Sequence, residues 1–386
     1  MKKTLAAVAV LGAFAGSAFA ADVTLYGRID GGFQYNQNSV DFNGKEVVDD
    51  SSFKMGSGQS TGSRFGLKGT EEISEGLKVG FVLEHGFTFD DGRFGDDERM
   101  FNREASLQLI SDDFGTLAIG RMGTIKSDAG TFGFFAATVN PFGTGWSNIS
   151  GYDVDMFAAD TSRYDNMITY KSPTFAGTTV YAQYSMGGND ANEMTHRADR
   201  YAALGVSYAA GNLNLAALVD WTDEAYTKDF LKAGGERDDE YTINVGGNYN
   251  FGVAKAYLGA QYFKDANDVA GIVDLIDSVA DAKLAYDTKH ADAFKGYGVT
   301  IGTDVPAFGG NFLVALSYTD AEEENWDADV TGYSAGIAYT YPLSKRTNLY
   351  VGGAYNNREI ESNVKTVDAK VEQDQYQAFF GMVHKF

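Results

Sequence analysis

The 386-residue sequence has no cysteine, and only 4 prolines and 4 histidines. Without cysteine there is no disulfide framework, no thiolate metal centre and no cysteine nucleophile. Positive charge is scarce too: 31 Lys and Arg stand against 53 Asp and Glu, a formal net charge of −22. That balance argues against a nucleic-acid partner, which would need a basic patch to neutralise phosphates. His85, His196, His290 and His384 are scattered, and neither a GxSxG nor an HExxH motif occurs, so no hydrolase constellation is legible. No catalytic residue, metal site or cofactor is expected, and the chain does not read as an enzyme. Beyond residue 20 no apolar run is long enough for a membrane-spanning helix.

What is abundant points elsewhere. There are 46 Gly, 27 Phe and 23 Tyr, with 14% aromatic and 44% hydrophobic residues. Disordered acidic chains lack that apolar content. Abundant Gly and Tyr with little Pro suits an extended antiparallel β protein.

Residues 1–20, MKKTLAAVAVLGAFAGSAFA, carry a basic start, a short apolar core and a small-x-small end at Ala18-Phe19-Ala20. These are the parts of a cleaved signal peptide of bacterial type, expected over 1–20. Its removal takes Lys2 and Lys3 away, so the net charge of −22 becomes −24. The exported product, 21–386, reads as one domain.

The mature chain opens with VTLYGRIDGGFQY. Val23, Leu25, Gly27, Ile29, Gly31 and Phe33 share one face; Thr24, Tyr26, Arg28, Asp30 and Gln34 share the other. The same alternation returns in about sixteen segments, among them GLKVGFVLEHGF, NFLVALSYTD and the terminal YQAFFGMVHKF. Short connections such as SDDFG, AGN and AFGG alternate with long polar ones around 36–62, 89–100, 187–199, 225–239, 265–294, 320–330 and 358–373. Short turns at one end and long loops at the other describe a transmembrane antiparallel β-barrel of about 16 strands. A closed sheet leaves no unpaired edge in lipid. A soluble multi-strand β protein shares the alternation. The aromatics in phase along the last strand, ending at Phe386, favour the barrel. Pro173, Pro306 and Pro342 fall where strands reach short turns and Pro141 falls in a long loop, so no strand centre is interrupted.

VTLYGRIDGG at 23–32, SRFGLKGTEEISEGLKVGFVLE at 63–84, FNREASLQLISDDFGTLAIGRM at 101–122, SRYDNMITYKSPTFAGTTVYAQY at 162–184 and the closing HKF resemble the trimeric sixteen-stranded general diffusion porins of Gram-negative bacteria, nearest the neisserial and related proteobacterial branch. The resemblance implies an outer-membrane, water-filled channel for passive diffusion of small hydrophilic solutes and ions. It also implies a homotrimer and an environment of outer-membrane lipid and lipopolysaccharide. It further implies that a third external loop folds inward as a constriction, here expected over 122–160. That length far exceeds what a hairpin needs. Its FFAATVNPFGTGW core can pack on the barrel wall.

In such porins a basic wall faces an acidic loop. Arg28 in YGRID, Arg64 in SRFGLKG, Arg103 in FNREASL and Arg163 in SRYDN match the positions of the basic wall. Parity supports a lumenal direction for Arg28 and Arg64. Arg103 is in phase with Ala105, Leu107 and Leu109 on the lipid face, so either a bulge precedes Ala105 or Arg103 lies above the membrane band. Arg121 shares that difficulty with Leu117 and Ile119. The acidic residue usual beside the Phe of the loop's PFG is missing. Asp153, Asp155 and Asp160 are candidates for the acidic side, and Asp128 is a weaker one.

Two further features stand apart. Over 268–286, Ile272, Val273, Ile276, Val279, Ala280 and Leu284 recur at helical spacing, predicting a short amphipathic helix that caps or rims the mouth. Acidic runs such as DDGRFGDDE at 90–98 read as solvated loops, or as carboxylates bridged by divalent cations to lipopolysaccharide. An alternative function is a substrate-selective channel, for example for oligosaccharides, with Trp146 and Trp221 as stacking platforms. A transverse field between arginines and carboxylates would favour polar solutes and tune ion preference.

Overall fold

The computed structural model describes residues 22–95, 99–146, 163–187, 200–223, 238–279, 294–323, 328–362 and 369–386. The expected signal peptide at 1–20 lies outside them, as do 147–162, and with these Asp153, Asp155 and Asp160.

The described strands are β1 (Asp22–Phe42), β2 (Lys45–Ser57), β3 (Arg64–Ser74), β4 (Leu77–Gly86), β5 (Glu104–Ser111), β6 (Gly115–Gly123), β7 (Arg163–Lys171), β8 (Thr178–Ser185), β9 (Arg200–Ala210), β10 (Leu213–Asp223), β11 (Glu240–Asn250), β12 (Lys255–Ala266), β13 (Phe294–Ala307), β14 (Gly310–Glu323), β15 (Ala328–Pro342), β16 (Thr347–Ser362) and β17 (Ala369–Lys385). Sequence neighbours pair antiparallel except β2 with β3, and β1 pairs with β17 to close the sheet. β2 and β3 lie end to end along β1, facing Gly31–Phe42 and Asp22–Arg28 in turn. They are one strand interrupted at 58–63, so the barrel has sixteen staves.

The alternation has its predicted consequence. On β5, Ser106 and Gln108 are buried inside the barrel, while Leu107 and Leu109 are 52% and 45% exposed on its outside. In water an apolar belt of this kind is unfavourable by about 25 cal/mol per Å². Against hydrocarbon it is the surface a spanning strand must show. The closed ladder satisfies the backbone without water.

The strands run further than their sequence spacing suggests. The region around 36–62, expected as a long loop, is mostly β1 and β2, joined by a tight turn with Asn43 at φ 52° and Gly44 at φ 76°. Asn-Gly with both residues at positive φ is the two-residue hairpin turn whose twist matches paired strands. Likewise β14 and β15 leave only 324–327 between them, and β16 and β17 only 363–368.

Two short helices occur among the described residues, both in loops at the long-loop end. α1 (Phe135–Val139) belongs to the third loop and α2 (Ile272–Ser278) to the sixth. α2 lies inside the predicted 268–286 segment; Ile272, Ile276 and Val279 are buried and Val273 is partly so, while Ala280 and Leu284 lie outside the described residues. The buried apolar clusters gather where these two loops meet the inner wall.

Candidate functional site

The third loop leaves β6, the fifth stave, and crosses the lumen. Its first ties are polar. Ile125 N donates to Gln183 Oε1 at 2.8 Å, and Gln183 Nε2 donates back to Gly123 O at 3.0 Å. Lys126 Nζ meets Asp220 Oδ2 at 2.8 Å, with both side chains no more than 5% exposed. Further along, Asn248 Nδ2 donates to Thr138 O at 2.8 Å and Asn140 Nδ2 to Thr300 Oγ1 at 3.0 Å. The backbone of a loop inside a barrel needs such partners, because little water reaches its underside.

Apolar contacts complete the attachment. Phe135, Ala136 and Val139 of α1 are buried against the wall. A Cβ on Gly246 would stand 2.6 Å from Val139 Cγ1, and one on Gly302 would stand 2.6 Å from Pro141 Cδ. These wall positions are glycine because the loop leans directly on the backbone. The loop tip ends in an aromatic nest: Trp146 meets Phe142 and Tyr350 edge-on, each at 5.7 Å between centroids, and Trp146 N donates to Ser60 O at 3.2 Å.

Beside this loop lies a cavity of about 780 Å³. Its basic side is built by register. Lys385 of β17 faces Arg28 of β1, and Arg28 faces Arg64 of β3. Like charges directly opposite in a sheet repel, so this row needs outside support. Part of it comes from the interruption at 58–63. Asp30, fully buried, accepts from Ser60 N at 2.8 Å, Thr61 N at 2.7 Å and the Tyr350 hydroxyl at 2.5 Å. That holds a shelf on which Thr61 Oγ1 accepts from Arg28 Nη1 at 3.2 Å and Arg64 Nη2 at 3.1 Å.

Carboxylates supply the rest. Glu84 of β4 takes Arg103 Nε at 2.8 Å, Arg64 Nη1 at 3.6 Å and the Tyr26 hydroxyl at 3.1 Å. Glu104 is buried and bound to the third loop, accepting from Thr131 N at 2.9 Å and Thr131 Oγ1 at 2.7 Å. Asp128, exposed on the loop, accepts from the Thr144 hydroxyl. Among the described residues lining the cavity, Arg28, Arg64, Lys68, Arg103, Arg163 and Lys385 stand against three acids, Glu84, Glu104 and Asp128.

All four arginines expected on the basic wall therefore line one cavity, together with Asp128. The parity difficulty at Arg103 dissolves because β5 begins one residue later, at Glu104. Arg103 sits in the bend before the strand, so strand alternation does not fix its direction. Arg121 is not among the residues lining the cavity. The β6–β7 register shifts between Gly120 and Met122, and Arg121 meets Asp165 Oδ1 at 2.7 Å, a carboxylate it shares with Arg99. Among the described residues the acid paired with both Arg64 and Arg103 is Glu84, on a strand. Glu84 was readable: it is out of phase with Leu83 and Phe81, hence lumenal. The shelf at 58–63 had no such signal.

The two tryptophans are placed differently. Trp146 lines the cavity from within the aromatic nest, where only 8% of it stays exposed. Trp221 lies between Asp220 and Thr222, which are buried inward, so it belongs to the outer face; its Nε1 donates to Asp239 Oδ2 at 3.0 Å.

Comparison with known proteins agrees with this architecture. The family model for the Gram-negative porin matches residues 6–360. An outer membrane porin protein of Bordetella pertussis is 35% identical over 380 residues, covering 92% of this chain and 94% of that protein. The major outer membrane protein P.IB of Neisseria meningitidis is 33% identical over 213 residues, 55% of this chain and 56% of that one. Among solved structures, an anion-selective porin from Comamonas acidovorans superposes with a TM-score of 0.66 at 22% identity, covering 95% of this chain and all of that one. A sixteen-stave closed barrel with a lipid-compatible outside, a polar cavity within and porin likeness along its length places the chain in the Gram-negative porin family, as an outer-membrane channel for passive diffusion of small hydrophilic solutes and ions.

Proposed function

We propose that the passage is constricted beside the Lys385–Arg28–Arg64 row and that it favours anions. The observation that carries this reading is the charge of the cavity, six basic side chains to three acidic ones among the described residues. Glu84 is engaged by two arginines, and Glu104 is turned into the attachment of the third loop. The excess is therefore cationic where a solute passes, although the chain as a whole carries −22. Fixed charge at a narrow aqueous neck acts on ions through little intervening water, and its sign sets which ion concentrates there. The similarity to a porin described as anion-selective supports the same direction.

A homotrimer belongs to the same proposal. On the outer face Phe33 of β1 stacks on Phe380 of β17 at 5.4 Å and on Phe53 of β2 at 5.8 Å, giving an aromatic surface suited to a neighbouring barrel.

The test is a planar-bilayer recording of the purified protein across a potassium chloride gradient. The reversal potential should have the sign of chloride preference, and current should close in three equal steps. Arg28→Gln with Arg64→Gln should move the reversal potential toward cation preference. A cation-selective wild type, or a double variant with an unmoved reversal potential, would remove the assignment.

A further inference from the structure

We propose that the sixth loop is a second inward element that closes the long-loop mouth over β12–β17 and β1, and so sets a size limit ahead of the charged cavity. The inference starts from one level of the barrel wall. Phe263, Ala321, Val330, Ile360, Val371 and Phe42 belong to a single register row that runs through seven consecutive staves, with Gly296 between Phe263 and Ala321. The row two steps below it on the same face is polar, with Thr300, Ser317, Ser334, Asn356 and Gln375 in register. A water-filled barrel has a polar interior. An apolar row across nearly half the circumference has to be covered by something.

The sixth loop covers it. Val269, Ile272, Leu275 and Ile276 are at most 4% exposed and form one cluster with Phe263, Ala321, Val330, Ile360 and Val371; Phe42 packs against its edge. The segment is shaped for that position. Asp268 Oδ1 accepts from Val273 N at 3.0 Å, closing the first turn of α2. Gly271 takes φ 67°, and a Cβ there would stand 2.9 Å from Arg358 Nη1, so the loop passes directly over the wall. Burial of this much apolar surface on both partners holds the loop against the wall rather than out in solvent. The half of the mouth that it fills is closed to water. Solutes must then enter over the remaining staves, the side from which Arg64, Arg103 and Arg163 project. The loop selects by size and the arginines by charge, at two successive levels.

The test uses uncharged polyethylene glycols of graded mass, added to one side of a bilayer holding oriented channels. Polymers that enter lower the conductance; polymers that are excluded do not. In the wild type the cut-off mass should be smaller from the long-loop side than from the short-turn side. Leu275→Ser with Ile276→Ser on the loop, and separately Val330→Ser with Ile360→Ser on the wall, should raise the long-loop cut-off toward the other and increase single-channel conductance. The reversal potential in a salt gradient should stay unchanged in both, which separates this reading from the anion preference. Because the loop pair leaves every barrel strand intact, it tests the idea even where the wall pair fails to assemble. Equal cut-offs from the two sides in the wild type, or an unmoved long-loop cut-off in the loop pair, would overturn it.

Discussion

The described parts of the third loop (124–146) and of the sixth (267–279) both turn into the barrel over buried apolar clusters, but the third is fixed in addition by a set of polar ties. The third is pinned by side-chain hydrogen bonds from β8, β11 and β13, by the Lys126–Asp220 ion pair, and by a glycine-lined stretch of wall. The sixth rests on an apolar row and its own Asp268 cap. The difference follows from what each leaves beside it. A loop bordering a charged, hydrated cavity cannot rely on apolar burial alone, because water competes for its backbone; directional bonds fix its position to within a fraction of an ångström. A loop that excludes water needs only complementary apolar surface.

The contrast is broken most severely at Asp220. It faces Lys126 and also accepts from the hydroxyls of Tyr201 and Thr242, so it joins the third loop to three strands. Asp220→Ala removes the carboxylate from a buried ammonium, a change that costs about 3–5 kcal/mol. The expected outcome is a third loop loosened at its root, seen as increased open-channel current noise and a lower unfolding temperature, with the sixth loop unaffected. Combining Asp220→Leu with Lys126→Met should recover much of the stability, since a well-packed apolar pair often replaces a buried ion pair without loss. A quiet, stable Asp220→Ala channel would mean that the ion pair is not what holds the loop.

The complementary change falls on the sixth loop. Ile272 is fully buried in the apolar cluster. Ile272→Ala should cost about 2–5 kcal/mol of local attachment. Amide hydrogen exchange should rise across 267–279, while amides of 124–146 keep their protection. Exchange rising in both loops would show that they are mechanically coupled and that the comparison does not hold.

The legibility of these features differs for physical reasons. Strand alternation is local, so the barrel and the inward direction of Arg28 and Arg64 were readable. Glu84 obeys the same parity, while the resemblance points to the third loop for acids. The Asn43-Gly44 turn carries a strong local hairpin signal that the polar composition of 36–62 masked. The helical period at Ile272 and Ile276 was visible too. Its target was not: the row from Phe263 to Phe42 draws one residue from each of seven strands, and no stretch of sequence holds two of them at informative spacing. Asp30 and Thr61 escape notice for the same reason. Their roles exist only because 58–63 leaves the sheet and returns to it.

The smallest expected effect is also the finest test of how the polar side of the comparison operates. Thr61 holds two guanidiniums through one oxygen, and its amide is held separately by Asp30. Thr61→Val keeps the side chain's shape and the shelf's backbone anchor but deletes that oxygen, a loss of about 0.5–1.5 kcal/mol per hydrogen bond. Arg64 keeps Gly62 O at 2.9 Å and Glu84, so it should stay in place, whereas Arg28 should swing more widely. Conductance should be nearly unchanged, and chloride preference should fall slightly, by less than in Arg28→Gln alone. If position rather than mere presence of the charge matters, the fall persists at high salt, where long-range attraction is screened and only close contacts discriminate. If the preference instead drops further than Arg28→Gln produces, Thr61 is supporting the whole basic row, and the shelf rather than the arginine register organises the neck.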